Sequence, residues 1–225
     1  MSDDAGGHAQ AHWDTDRVEA FSDGVFAIAI TLLVLEISIE PGQFDHLGRA
    51  LLDEWPAYLA YVTSFLTVGS VWIAHHSLFT HLRFVDPVLL RLNLVLLLVA
   101  AFLPFPTAVM ADAFDHTARA ERVAIVFYGG VALLMEILLR SAIQYAQARP
   151  ALHMPGVVHG EPDLIAPSAP RGWRAALGTI LYVIAILVGI FLFPRLAAAA
   201  YLVVALRGVF VAGSEGRLSL RLRPR

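Results

Sequence analysis

Asp23 and Glu36 are acidic residues near the two ends of a mostly apolar segment, residues 17–38. An ionisable side chain at membrane depth is costly unless it faces protein or water, so we expect Asp23 to lie against a polar partner. At 100° per residue the segment is predicted to form a helix with two different sides. One side collects Phe21, Gly24, Ile28, Thr31, Leu32, Leu35 and Ile39.

Simpler interpretations of these residues stay open on spacing alone. Asp23 and Ser22 are residue types that often cap the start of a helix. The spacing i, i+4, i+7 is also that of ordinary helix packing, and the residues concerned are Ile28, Leu32 and Leu35.

A second apolar segment holds aromatic and imidazole side chains. Trp72 and His76 are one helical turn apart and share a face, whereas the adjacent His75 is expected to point elsewhere. Adjacent histidines are poorly placed to share a metal ion on one helix. Residues 67–70, Thr-Val-Gly-Ser, resemble part of a carbonyl-lined potassium filter, but that filter needs an extended loop and these residues lie inside an apolar helix. Glu136 lies deeper in another segment, either in a proton relay or as a buried hydrogen-bond partner.

The composition indicates an integral membrane protein. Of the 225 residues, 58% are hydrophobic and 16% are charged, and the mean hydropathy is +0.67. Cysteine is absent, which excludes disulfides and thiolate metal sites. No metal-ligand spacing, nucleophile elbow or phosphate loop indicates an enzyme.

We therefore expect an all-α membrane protein with six transmembrane helices per subunit. The predicted helices cover residues 17–38, 55–79, 88–110, 122–146, 173–193 and 195–212. With the N-terminus inside, twelve arginines fall at cytosolic helix ends and four outside, so both termini are predicted to be cytosolic. Prolines at 104 and 106 are expected to break or kink the third helix.

Flanking and connecting segments complete this plan. Residues 1–16 are predicted to be a flexible cytosolic tail, 17–213 a six-helix transmembrane domain, and 214–225 a basic cytosolic tail. Residues 43–53 form either an amphipathic helix at the outer interface or a solvated loop. The proline-rich stretch 149–171 is predicted to be one long irregular loop.

The run from Arg17 to Gly24 contains Arg-x-x-x-Phe-Ser-Asp and resembles the signature of the transmembrane protein 175 family. The resemblance extends to Trp72, His75-His76, Asn93 and Leu103-Pro104-Phe105-Pro106-Thr107. That family comprises endolysosomal potassium channels in animals and shorter prokaryotic relatives. Animal members carry two six-helix repeats, and this chain has room for one. The resemblance therefore implies a homotetramer with the first helix of each subunit lining a central pore.

The resemblance also assigns roles to residues. It implies a hydrophobic constriction formed by Ile28, Leu32 and Leu35, with the hydroxyl of Thr31 assisting cation selection. It further implies a polar cluster that supports the pore helix from the cytosolic side. The members of this cluster are Arg17, Ser22, Asp23, Trp72, His76 and Asn93.

The expected function is that of a potassium-permeable cation channel in the plasma membrane. We expect contacts with lipid and with permeating K⁺, no cofactor, no metal beyond K⁺, and no nucleic acid. A proton-leak channel of the same architecture is the main alternative. A secondary transporter ranks lower because it usually requires broken helices or repeated halves, with polar groups meeting at midmembrane.

Overall fold

The computed structural model describes residues 13–39, 41–114, 116–153 and 173–221, and it includes side chains over 176–211 of the last segment. The α-helices in these residues are α1 Thr15–Leu32, α2 Leu47–Asp53, α3 Trp55–Phe79, α4 Pro87–Phe102, α5 Pro104–Ala113, α6 Ala118–Gln147, α7 Trp173–Phe191 and α8 Pro194–Arg221. Short 3₁₀ helices cover Leu33–Glu36, Pro41–His46 and Pro150–Leu152. Two short strands, β1 Trp13–Asp14 and β2 Phe84–Val85, pair antiparallel.

The predicted all-α membrane fold is confirmed. Five helical stretches of the described chain are long and apolar enough to cross a membrane: Thr15–Glu36, Trp55–Phe79, Pro87–Ala113, Ala118–Gln147 and Pro194–Val211. A sixth apolar helix is shorter in its described part, Ala176–Phe191. The predicted positions of all six helices therefore agree with the structure, and that of α3 agrees to the residue.

Local sequence explains where the helices begin. Asp86 caps α4, because its side chain accepts a hydrogen bond from the Leu89 amide at 2.8 Å and Pro87 occupies the first turn. The predicted break in the third span is confirmed at Leu103, where α4 ends and Pro104 opens α5. Proline lacks the amide hydrogen that would continue the ladder, so the helix restarts there.

Some predicted boundaries differ from the structure. Thr15 and Asp16 already belong to α1, and residues 13–14 pair with β2, so the structured chain begins before Arg17. Residues 214–221 of the predicted C-terminal tail continue α8 as helix. The rest of both tails, 1–12 and 222–225, and residues 154–172 of the predicted loop lie outside the described residues. Residues 43–53 are helical and largely exposed.

Helix α6 packs against α4, α5, α7 and α8, and α8 also packs along α3. Gly129 of α6 allows the closest of these approaches, because a Cβ there would lie 2.8 Å from Ile186 Cγ1 and would overlap the ring of Tyr201. Gly208 lets α8 approach Ser70 of α3 in the same way, at 3.0 Å. At Gly69 of α3, such a Cβ has no atom of another described element within 4 Å, so this glycine does not serve close packing within the subunit.

Candidate ion pathway

Helix α1 has one buried and one exposed face, as predicted. Its buried face follows the spacing of a helical stripe and consists of Val18, Ser22, Phe26, Ala29 and, just beyond the helix, Leu33. This face packs against α3 and α4. Apolar residues at these spacings bury one stripe of a helix, and the opposite side stays uncovered in the single subunit.

The uncovered face carries the residues predicted for the constriction. Ile28 is 60% exposed, Leu32 40% and Leu35 71%, although all three are bulky and apolar. Thr31 is also exposed, and its hydroxyl donates to the Ile28 carbonyl at 2.9 Å. That bond uses the hydroxyl hydrogen, so the oxygen lone pairs remain able to accept or to coordinate a cation.

The backbone changes from α-helix to 3₁₀ helix between Leu32 and Leu35. The α-helix ends at Leu32, and Leu33–Glu36 forms a 3₁₀ helix, whereas the sequence predicted one continuous helix to residue 38. Side chains at i and i+3 eclipse in a 3₁₀ helix, so Leu35 lies directly above Leu32. The three predicted constriction residues thus share one side of the helix.

A chain of hydrogen bonds behind this face joins three helices. His75 Nε2 on α3 bonds Asn93 Oδ1 on α4 at 2.8 Å, and Asn93 Nδ2 donates to Ser22 Oγ on α1 at 2.9 Å. The Ser22 hydroxyl then donates to the Val18 carbonyl at 2.8 Å. Since the amide oxygen of Asn93 only accepts, Nε2 of His75 carries the proton.

This buried triad, defined as Ser22, His75 and Asn93, is almost fully shielded, with each residue at most 2% exposed. The imidazole lies between two aromatic rings, edge-on to Phe26 at 5.3 Å and stacked on Phe79 at 4.3 Å between ring centroids. His75 Nδ1 makes no hydrogen bond in the described part of the chain, so the network is held by Nε2, by Asn93 and by Ser22. Hydrogen bonds between buried side chains of different helices fix the relative position of those helices. The triad therefore anchors the buried face of α1.

A separate, more exposed set consists of Glu19, Asp23, Trp72 and His76. Trp72 Nε1 donates to Asp23 Oδ1 at 2.8 Å, and His76 Nδ1 lies 2.7 Å from Glu19 Oε1. The rings of Trp72 and His76 stack with their centroids 5.9 Å apart, which agrees with the predicted shared face.

The predicted single cluster is thus two sets. Asn93 pairs with His75 and not with His76, because residues 75 and 76 differ by about 100° around the helix and only the former faces α4. Arg17 is exposed at the start of α1, and its side chain makes no hydrogen bond or ion pair with either set in the described part of the chain. Sequence reasoning missed Glu19 and the pairing of His75. His75 continues the buried spacing of Val68, Val71 and Leu78, which is the signal that identifies its side of the helix.

Glu136 has a local partner. Its Oε1 accepts from Arg140 Nε at 2.8 Å, one turn further along α6. Of the two interpretations left open for this carboxylate, the geometry favours a paired structural group.

Comparisons with known proteins agree with this architecture. The profile of the family described as Endosomal/lysosomal potassium channel TMEM175 matches residues 17–104. A potassium channel of Streptomyces collinus is 41% identical over 173 residues, covering 75% of this chain and 79% of that protein. An endosomal/lysosomal proton channel TMEM175 of Danio rerio is 49% identical over 83 residues, covering 33% of this chain and 16% of the relative.

The fold is also matched by a solved structure. The crystal structure of a lysosomal potassium-selective channel TMEM175 homolog from Chamaesiphon minutus superposes with a TM-score of 0.74 at 33% identity. The match covers 88% of this chain and 97% of that one. On its sequence, its helices and these similarities, the chain belongs to the TMEM175 family.

Proposed function

We propose that this protein is a potassium-permeable cation channel in which four copies of the chain place α1 around a common axis. The observation that carries the proposal is the uncovered row of Ile28, Leu32 and Leu35 opposite an anchored, buried face. Bulky apolar side chains left uncovered on a polytopic subunit suit either lipid or an axis shared with other subunits. The Streptomyces collinus relative is named a potassium channel, which favours the axis.

The chemistry of such a pore follows from its side chains. Rings of isoleucine and leucine form a constriction that loses water when it is narrow and conducts when it widens. The larger K⁺ ion is less costly to dehydrate than Na⁺, so it passes with modest preference. Hydroxyls of Thr31, which keep free lone pairs, add ligands for the partly dehydrated ion.

The orientation of the subunit in the membrane is part of the same proposal. The excess of arginine on one side, twelve against four, supports a plasma membrane protein with both termini in the cytosol. Glu19, Asp23, Trp72 and His76 then lie toward the cytosolic mouth. The relatives named above are described as channels, and we propose that this protein is likewise a channel and not an enzyme.

Ion flux through purified protein in liposomes tests the function. Ile28→Ala shortens the side chain at the constriction, and K⁺ flux is expected to rise severalfold. Leu98 on α4 is 69% exposed and is not placed on the pore, so Leu98→Ala provides a matched control with unchanged flux. Equal flux in both variants and the native chain would exclude Ile28 from the pathway.

Assembly around α1 needs its own test, and the absence of cysteine makes it simple. A bifunctional thiol reagent is expected to link subunits of Leu35→Cys and not those of Leu98→Cys. A stable monomer in mild detergent, with no cross-linking at residue 35, contradicts a shared pore.

Proton conduction is the second candidate, because the Danio rerio relative is named a proton channel. Reversal potentials measured under separate K⁺ and H⁺ gradients distinguish the two ions. A reversal potential that follows only the H⁺ gradient would contradict potassium conduction and would support a proton channel. Saturating, substrate-coupled uptake would instead indicate a secondary transporter.

A further inference from the structure

The exposed set beside the pore helix has the composition of a metal site. One ligand atom from each of Glu19, Asp23 and His76 lies within 4.8 Å of the other two. Two carboxylates come from successive turns of α1, and the imidazole comes from α3. We propose that these three residues bind a divalent first-row transition metal ion such as Zn²⁺ and that the bound ion joins α1 to α3.

The distances suit such an ion after small side-chain movements. Ligand atoms on a tetrahedral Zn²⁺ lie roughly 3.4 Å apart, since each bond is about 2.0–2.1 Å. His76 Nδ1 and Glu19 Oε1 are now closer than that, at 2.7 Å. A metal ion between them moves these atoms apart by about 1 Å, which long side chains at a partly exposed site allow.

Trp72 orients two of the three ligands. Its indole N–H donates to Asp23 Oδ1 at 2.8 Å, and its ring stacks on His76 with an interplanar angle of 24°. Groups that hold a carboxylate and an imidazole in place commonly strengthen metal sites. The residues do not simply form a loose acidic patch, because one tryptophan fixes the directions of ligands from two helices.

The ligand types select the class of metal. Imidazole suits Zn²⁺, Co²⁺ and Ni²⁺, whereas Mg²⁺ and Ca²⁺ prefer sets built from oxygen alone. Three protein ligands leave a fourth position for water or for a group from another subunit. We therefore expect Zn²⁺ and Co²⁺ to bind and Mg²⁺ and Ca²⁺ not to compete at equal concentration.

Metal binding to full-length protein in detergent tests this inference. After chelator treatment, Zn²⁺ binding is measured by competition with a chromophoric chelator, and Co²⁺ binding by its visible absorption. His76→Gln is expected to lose one high-affinity Zn²⁺ per chain. His81 lies just beyond the same end of α3, so His81→Gln is the matched control and should lose no bound Zn²⁺. Trp72→Phe keeps an aromatic ring at this position and removes the indole N–H that donates to Asp23, so it should weaken Zn²⁺ binding about tenfold.

Thermal unfolding gives an independent measurement. Zn²⁺ should raise the midpoint of the native chain and leave that of His76→Gln unchanged, because only a bound ion stabilises the folded state. If His76→Gln fails to fold, Glu19→Gln and Asp23→Asn serve in its place. Native stoichiometry and affinity in these variants would mean adventitious zinc on other histidines and would overturn the site. Neither measurement depends on conduction, so failure here is distinct from failure of the channel proposal.

Discussion

Replacing Asn93 with alanine tests whether the buried triad anchors the pore helix. The change removes two hydrogen bonds, one to His75 and one to Ser22. Hydrogen bonds inside membrane proteins contribute about 0.6 kcal/mol each on average, which gives roughly 1.2 kcal/mol. The N–H of His75 then lacks a partner at a site only 1% exposed, and such a buried donor costs about 1–3 kcal/mol. These two figures are alternative estimates of the same loss and are not added, so we expect the free energy of unfolding to fall by about 1–3 kcal/mol.

Reversible unfolding in mixed detergent and sodium dodecyl sulfate micelles measures this difference. Leu98→Ala on the same helix provides the control and should change the free energy by at most about 0.5 kcal/mol, as is usual at exposed positions. Ser22→Ala removes the bond from Asn93 and the bond to the Val18 carbonyl, so it should cost about 1.2 kcal/mol at about 0.6 kcal/mol for each bond. The double variant of Ser22 and Asn93 should show a coupling energy of about 0.5 kcal/mol or more, because the two residues share a bond.

Two results would refute the reasoning. The first is an Asn93→Ala variant no less stable than Leu98→Ala. The second is strict additivity of the Ser22 and Asn93 effects, which would show that the bond between them contributes nothing. Either result would leave α1 held by apolar packing and by the contacts of Asp23 and Glu19 with α3, and not by the triad.

Two further predictions concern helix packing and ion selection. Gly129→Ala should lower the free energy of unfolding by about 1–3 kcal/mol, because the new methyl group overlaps Tyr201, whereas Gly130→Ala meets open space and serves as its control. Equal stability of the two alanine variants would contradict the close approach of α6 and α8. Thr31→Val keeps the shape of the side chain and removes its hydroxyl, so the K⁺ over Na⁺ preference in liposome flux should fall about twofold or more, equivalent to ~0.4 kcal/mol. An unchanged preference would exclude this hydroxyl from ion selection.

Hydropathy predicted the positions of the helices because a span is a local property of the chain. The bounds of α3 match the prediction, and the break at Pro104 follows from the chemistry of one residue type. The predicted two-sided α1 is likewise a consequence of residue spacing, which a single segment contains in full.

Contacts between helices were less accessible to sequence reasoning. His75 and His76 are neighbours in sequence, and the choice between them depends on which side of α3 faces Asn93 of α4. The metal-binding proposal shows the same limit. Spacing on one helix gave no ligand set, because Glu19 and His76 meet across 57 positions of sequence through the packing of α1 on α3.

The end of α1 determines the form of the proposed constriction. From Ile28 to Leu32 the α-helix rises roughly 6 Å, and from Leu32 to Leu35 the 3₁₀ turn rises roughly another 6 Å. The apolar wall is therefore about 12 Å long, with its two leucines eclipsed and Ile28 rotated by about 40° from them. Shortening Ile28 widens one level and leaves the leucine levels in place. This geometry explains why Ile28→Ala should raise K⁺ flux severalfold and should not produce an unselective, water-filled pore.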